Sequence, residues 1–503
     1  MRSQHPPSAP SSPADHQHLQ RSLTHGQMAM IAMGSALGTG LFLGSGSAIG
    51  MAGPAVILCF AFGSMIAVTI ALAMGEMASR YPVQGGFGTL AARYLSPYWG
   101  YLVRWLYWIV TVAVTAVEIV ACATYLGFWF PQVPLWAGIV IFAAIIVGVN
   151  LASVKSFGVI EFYLSSIKVI AVVLFILVGL LLVFVGLPSA PAAGLDNWTA
   201  DGGFFPFGLS GVWMAMSIVM FSFGGIELLS ITAAEAKNPA RSIRTAAQST
   251  VIRLSLFYVL AIGIVVALVP WVKASGAGGD VHQSPFVMVF ELVGVPQAAS
   301  VTNFIVLVAA LSAANANVYA GSRFLHSLAA DHLAPRALGW TTSRGVPVPG
   351  IAVHSIGIIA TVLLAVSGIG GIFPMLMSVV TFSVVLVWAL ILVTYLVYAR
   401  TRDGRELFRM PGGSATAIAG LVGLAIVFST VLAVERMQIA AAVGIPFVAI
   451  VTIAYWLVFR RRVSVAAINE SFEEAEKARA LNEAAEQADE RAVRLGARTS
   501  AGD

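Results

Sequence analysis

The chain has 503 residues, of which 58% are hydrophobic and only 10% charged, and its mean hydropathy is +0.88. A soluble domain carries nearer to about 25% charged residues, so the composition excludes a soluble globular protein and leaves a polytopic membrane protein. The formal net charge of +5 is spread over short loops rather than gathered into one patch, which excludes a nucleic-acid binder.

The first twenty or so residues are rich in Ser, Pro and His and read as a disordered tail (1–22), with His5, His16 and His18 solvated there rather than holding a metal. No apolar core with a cleavage site directly after it is visible, so no removable signal peptide is expected. Apolar runs then fall at about 28–49, 54–79, 98–127, 134–152, 158–186, 210–235, 247–270, 297–326, 349–367, 372–398, 414–434 and 439–460. They predict an all-α protein of twelve transmembrane helices, since a run of about 20 apolar residues crosses a bilayer. Cys59 and Cys122 lie inside these runs and read as core-filling thiols, with no disulfide or metal spacing.

Alternate loops carry the positive charge: Arg80 and Arg93; Lys155; Lys237, Arg241 and Arg244; Arg336 and Arg344; Arg400, Arg402, Arg405 and Arg409; then Arg460, Arg461 and Arg462. The opposite loops hold almost none, with Lys273 and Arg436 as exceptions, so both termini are expected in the cytoplasm and the chain in the cell (inner) membrane. Gly86–Tyr94 predicts a short cytoplasmic surface helix, and Ser284–Leu292 a counterpart outside. Asn197-Trp198-Thr199 matches a glycosylation acceptor by chance. The tail over 463–503 is rich in Ala, Glu and Arg and is expected to be helical and solvated.

Two of the runs are interrupted near their middles. The first contains Gly34-Ser35-Ala36-Leu37-Gly38-Thr39-Gly40-Leu41-Phe42, and glycine weakens a helix by about 1 kcal/mol per residue relative to alanine. Close helix packing through small residues explains such a cluster as well as a break does. The sixth run repeats the feature at Phe221-Ser222-Phe223-Gly224-Gly225-Ile226-Glu227. Breaks in runs one and six, five apart, are the pattern of a 5+5 inverted repeat (23–186 and 210–398) whose broken helices meet at the bilayer midplane, with two extra helices (414–460) after it. Freed backbone groups are tolerated there only where protein or a ligand meets them.

At this point the chain resembles a known family, the amino acid transporter family of the amino acid–polyamine–organocation superfamily, the bacterial amino acid permeases. The resemblance runs from about Leu23 to Arg462. It rests on the two broken motifs together with Met51-Ala52-Gly53-Pro54, Gly75-Glu76-Met77-Ala78, Ser153-Val154-Lys155-Ser156-Phe157-Gly158, Gly202-Gly203-Phe204-Phe205-Pro206, Glu235-Ala236-Lys237-Asn238-Pro239 and Ser322-Arg323-Phe324-Leu325. The resemblance implies uptake of an amino acid by proton symport with alternating access. Its detail is similar to members that carry proline, 4-aminobutyrate or small neutral amino acids.

The resemblance also implies where the substrate is held. Its carboxylate maps onto Ser35, Gly38, Thr39 and Gly40, which accords with anion capture at a helix N-terminus. Its amino group maps onto carbonyls of Phe221, Ser222 and Phe223, beside Gly224, and the two phenylalanines serve either as a lid or as packing. Lys168 lies about ten residues into its run, about 15 Å deep at about 1.5 Å per residue, near the middle of a hydrocarbon core of about 30 Å. A desolvated lysine there can release a proton as well as hold one, and the matching position in related transporters makes it the proton-coupling group; a permanently charged structural tie is the alternative. Ser312 and Asn315 are its expected polar neighbours. Glu118, also deep, either lines the pocket and relays protons or is a buried carboxyl bonded to a neighbouring helix. Glu227 stabilises the second break or touches substrate. Glu76, Glu161 and Glu235 are expected to pair with Arg80, Lys155 and Arg241, and Trp105, Tyr107 and Trp108 to form an interfacial belt.

A channel would need a continuous polar file, which is not visible. A membrane enzyme would need a phosphate loop, a metal-spaced His/Glu cluster or a Ser/His/Asp set; His326, His332 and His354 are scattered and read as loop or packing residues. No cofactor, nucleic acid or obligate protein partner is inferred, only substrate, protons and lipid. Exchange without proton coupling remains the rival transport mode.

Overall fold

The computed structural model describes residues 26, 30, 37–152, 154–187, 190–228, 230, 255–275, 284–292, 297–367, 372–402, 404, 408–477 and 479–481. These are mostly helical. A π-helical turn, Gly40–Gly44, runs into α1 (Ser45–Ala52), followed by α2 (Val56–Arg80), the short α3 (Gly86–Tyr94), which is largely buried rather than lying on the surface, α4 (Pro97–Gly127), α5 (Leu135–Ala152), α6 (Val154–Phe184) and α7 (Gly208–Ser222). Then come α8 (Ser255–Leu268), the short α9 (Trp271–Ala274), α10 (Pro285–Leu292), α11 (Ala298–Ala330), α12 (Val348–Val366) and α13 (Ile372–Arg400). Next are α14 (Ser414–Ala433) and α15 (Glu435–Ala454), which ends in a second π-helical turn, Tyr455–Phe459. Among the described residues, eight helical stretches are long and apolar enough to cross a membrane, accompanied by three shorter apolar helices. A two-residue antiparallel pairing of Gly186–Leu187 with Ala190–Pro191 lies in the connection after α6.

Burial sorts the helices. The most apolar windows of α4 and α13 are 78% and 72% buried, whereas those of α5, α12 and the last stretch are 28%, 28% and 17% buried. The first pair forms the centre, with α4 packed against α11 and α13, and the others turn Leu, Ile and Val outward as lipid-facing helices do. Cys59 and Cys122 are buried free thiols. Two of the recognised motifs meet: Gly53, at φ 61°, lies under Pro206, and Ala55 N–H donates to Phe204 O at 3.1 Å. A Cβ on Gly53 would fall 2.3 Å from Pro206 Cγ, so this close approach requires glycine.

Several expected pairings differ. The buried Glu76 carboxylate pairs with Arg402 at 2.7 Å and also accepts from Tyr395 O–H at 2.8 Å and Met410 N–H at 2.7 Å; Arg80 instead meets Glu476 at 3.0 Å. Glu161 lies in a buried polar cluster, and the side chain of Lys155, its expected partner, is outside the described residues, as are Glu235 and Arg241. Tyr107 does not join a belt: it is fully buried, its ring 5.1 Å from Phe87 and 5.0 Å from Phe324, while Trp105 and Trp108 are half-buried. The Asn197 amide donates to Ala267 O at 2.7 Å and is engaged in packing.

The tail is helical over 465–477 but not free in solvent. Ser464 caps it, accepting the Ala467 N–H at 3.0 Å, and Ile468, Phe472 and Ala475 bury one face. Phe472 packs 5.1 Å from Tyr81 and 6.4 Å from Tyr94, with Arg93 bonded to Asn469 alongside. Burying a phenylalanine contributes about 1.5–3 kcal/mol. Phe472→Ala should therefore release this helix and speed its cleavage in limited proteolysis of the solubilised protein, with the rest of the chain resistant; an unchanged cleavage rate would show that the ring does not hold the tail.

Candidate functional site

Both glycine-rich stretches interrupt their helices. Leu37 and Gly38 form a bend before the π-helical turn, whose N-cap is Thr39. Ser35 lies outside the described residues. In the second stretch α7 stops at Ser222, residues 223–227 form turns with Gly225 at φ 104°, and helix resumes at Leu228. The positive φ explains the glycine at position 225.

The two interruptions face each other. A Cβ on Gly40 would stand 2.7 Å from Ser222 Cα, and one on Gly38 would stand 2.5 Å from Glu118 Oε1. Glu118 comes from α4 and is 2% exposed; its carboxylate accepts the Thr39 N–H at 3.2 and 3.3 Å. The Thr39 hydroxyl is buried with no hydrogen-bond partner among the described residues. The resulting hollow is lined by Gly38, Gly40, Glu118, Phe221, Ser222 and Gly224, together with Val110, Val114, Gly225, Glu227 and Asn317. It is contracted, with room for about one water molecule.

The hollow is polarised. Helix N-terminal N–H groups carry partial positive charge and helix C-terminal carbonyls partial negative charge. At the second break, Phe223 N–H turns back to Met220 O at 3.2 Å, Gly224 N–H to Phe221 O at 3.1 Å, and the Ser222 carbonyl accepts from Tyr258 O–H at 2.7 Å. Glu227 accepts Gly225 N–H and Trp388 Nε1–H, both at 3.2 Å, and so ties the loop of the break to α13. Phe221 lines the hollow, whereas the Phe223 ring packs away from it, 6.2 Å from Phe60 and 4.8 Å from Tyr258.

Lys168 is fully buried in α6 and interacts electrostatically with Glu161 and Glu118. Glu161 accepts Ser165 O–H at 3.0 Å, Asn315 Nδ2–H at 3.2 Å and the Ser312 hydroxyl, and Asn150 Nδ2–H donates to Asn315 Oδ1 at 2.8 Å. A polar cluster from α5, α6 and α11 thus lies near Lys168, as does the carboxylate on the first break. Ser312 and Asn315, expected as neighbours of Lys168, bond Glu161. His354 is buried in packing, with its Nε2 3.1 Å from Thr115 Oγ1. Among the described residues no group of His, Cys, Asp and Glu is placed to hold a metal ion.

The sequence reading missed Tyr258, Asn150, Val110, Val114 and Asn317, none of which carries a local motif. Glu161 as the neighbour of Lys168 was available: seven residues apart on a helix, with Ser165 between, they share a face.

The profile of the family described as amino acid permease matches residues 27–468. The chain is 36% identical over 457 residues to an uncharacterized amino acid permease, YtnA, of Bacillus subtilis, covering 90% of this chain and 98% of that one. It is 39% identical over 387 residues to the aromatic amino acid transport protein AroP of Escherichia coli K12, and 40% identical over the same length to AroP of Salmonella typhimurium, covering 77% of this chain and 83% of each relative.

Proposed function

We propose, from the premise that the chain belongs to the amino acid permease family and is therefore a transporter of amino acids and not an enzyme, that it imports a neutral amino acid by proton symport with alternating access. The observation that carries this reading is the meeting of an N–H-bearing helix start at Thr39 with a carbonyl-bearing helix end at Ser222 across one buried hollow. A zwitterion has a carboxylate for the first and an ammonium for the second, and in a dry interior each pole must be matched. In this reading Ser35, Gly38, Thr39 and Gly40 hold the carboxylate, and Phe221, Ser222, Phe223 and Gly224 present carbonyls to the amino group. Phe221 and the Val110–Val114 wall meet the side chain.

Glu118 already takes the Thr39 N–H, so a substrate carboxylate must displace it, and two carboxylates cannot share that place without a proton or a cation between them. Lys168, coupled to Glu118 and Glu161, is the group that supplies that proton, and substrate and proton then cross together. The arrangement we infer around it has twelve spans, 5+5 inverted with two extra helices, in the cell (inner) membrane with both termini cytoplasmic. Its units are a tail over 1–22, a transporter domain over 23–462 and a helical tail over 463–503.

The motif resemblance favours proline, 4-aminobutyrate or a small neutral amino acid, while the AroP relatives are named for aromatic ones, which suits the Phe221 ring. The test is a panel of labelled L-phenylalanine, L-proline, 4-aminobutyrate and L-alanine in proteoliposomes with an imposed proton gradient. We expect gradient-dependent accumulation of a neutral amino acid and counterflow without the gradient. Counterflow with no response to the gradient would replace symport by exchange, and transport of none of the four would overturn the substrate reading.

A further inference from the structure

A helix that stops inside a dry interior leaves its last carbonyls without intrahelical partners. At the end of α7 two of them are met by the turn itself, Met220 O by Phe223 N–H and Phe221 O by Gly224 N–H. The Ser222 carbonyl is met from another helix, by the Tyr258 hydroxyl of α8 at 2.7 Å. Tyr258 is fully buried, and its ring is wedged edge-on against Phe223 at 4.8 Å and 89° and lies 6.0 Å from Phe60. Those rings hold the phenol in one orientation. Across the hollow, Glu118 meets the Thr39 N–H in the same way, so each broken end carries a side chain from a neighbouring helix.

We propose that Tyr258 is a positioning residue for the amino pole of the substrate. A carbonyl oxygen has two lone pairs. The phenol occupies one and fixes the plane of the 222–223 peptide, which leaves the other for a substrate in the hollow that Ser222 lines. A substrate ammonium finds that acceptor already aimed and loses nothing in turning it. Without the hydroxyl the peptide rotates toward whatever partner it finds, and the ammonium meets a carbonyl that no longer points at it. The inference rests on the amino acid reading above and adds that selectivity for the α-amino group is set from α8.

The test uses the full chain in proteoliposomes. The transported probe is the best-accumulated amino acid of the panel, and the competitor is its deamino analogue, 3-phenylpropanoic acid in the case of L-phenylalanine. The wild type should prefer the amino acid by at least about 100-fold, as sites built around a hydrogen-bonding group do. Tyr258→Phe should raise KM about tenfold and lower that preference about tenfold, the loss of one hydrogen bond to a charged group, with the maximal rate within about twofold. Phe223→Leu, which lets the phenol tilt but keeps its hydroxyl, should lower the preference by a smaller factor, and it carries the test if Tyr258→Phe does not fold. A folded variant of either kind with altered melting temperature but unchanged preference would make Tyr258 a packing residue and overturn the inference while leaving amino acid transport intact. A wild type indifferent to the amino group would overturn the substrate reading and this inference together.

Discussion

Gly40→Ala is expected to abolish uptake, by about 100-fold or more, in protein that still reaches the membrane, because a positioned geometry displaced by about 1 Å loses about that factor. The added Cβ would lie 2.7 Å from Ser222 Cα and 2.9 Å from both Phe221 Cδ1 and Ser222 Oγ. Carbon atoms rest about 3.5–4.0 Å apart, so the two broken ends must separate by about 1 Å. The nearest obstacle is backbone and cannot turn aside as a side chain does. Gly38→Ala meets Glu118 Oε1 at 2.5 Å, the free end of a side chain, and should weaken uptake less. Gly148→Ala, with open space around it in α5, should leave uptake unchanged. Initial rates of labelled amino acid uptake, normalised to protein in the membrane, rank the three. Wild-type uptake by Gly40→Ala would mean that the hollow does not lie on the transport path.

What was legible in the chain follows from the range of the forces involved. Apolar runs and glycine clusters act locally, so apolar helices, the short helix Gly86–Tyr94 and both interruptions could be read before any fold was known, though not that packing buries most of that short helix. Pairings between distant charges could not. Glu76 was given to Arg80, one helical turn away, but a buried carboxylate takes whichever donors tertiary packing brings, here Arg402, Tyr395 and the Met410 amide. Tyr107 sits between two tryptophans and has the composition of an interfacial belt, yet Phe87 and Phe324 from other helices bury it. Phe221 and Phe223 were indistinguishable as letters. They separate because α7 ends at Ser222, so Phe223 leaves on a new heading and packs on Phe60 and Tyr258. The tail was read as solvated because it lacks sustained apolar heptads, but Ile468, Phe472 and Ala475 fall on one face at helical spacing, a pattern that was there to be seen.

Lys168→Met should end proton-driven accumulation. A gradient of one pH unit is worth about 1.4 kcal/mol and supports about tenfold accumulation when one proton crosses with each substrate; the variant should level off at about onefold. The single substitution has a second effect that must be separated from the first. It removes a cation near the buried Glu161, and a buried charge left uncompensated is destabilising. Lys168→Met combined with Glu161→Gln removes both charges and keeps an acceptor for Ser165 and Ser312, so it should recover most of that stability. In the double variant counterflow should persist, because the two broken ends proposed to hold the substrate are untouched, while accumulation driven by the gradient should not return. Tenfold accumulation by a folded double variant would mean that the lysine only ties α6 to its neighbours, and Glu118, which accepts the Thr39 N–H of the first broken helix, would then become the candidate proton carrier.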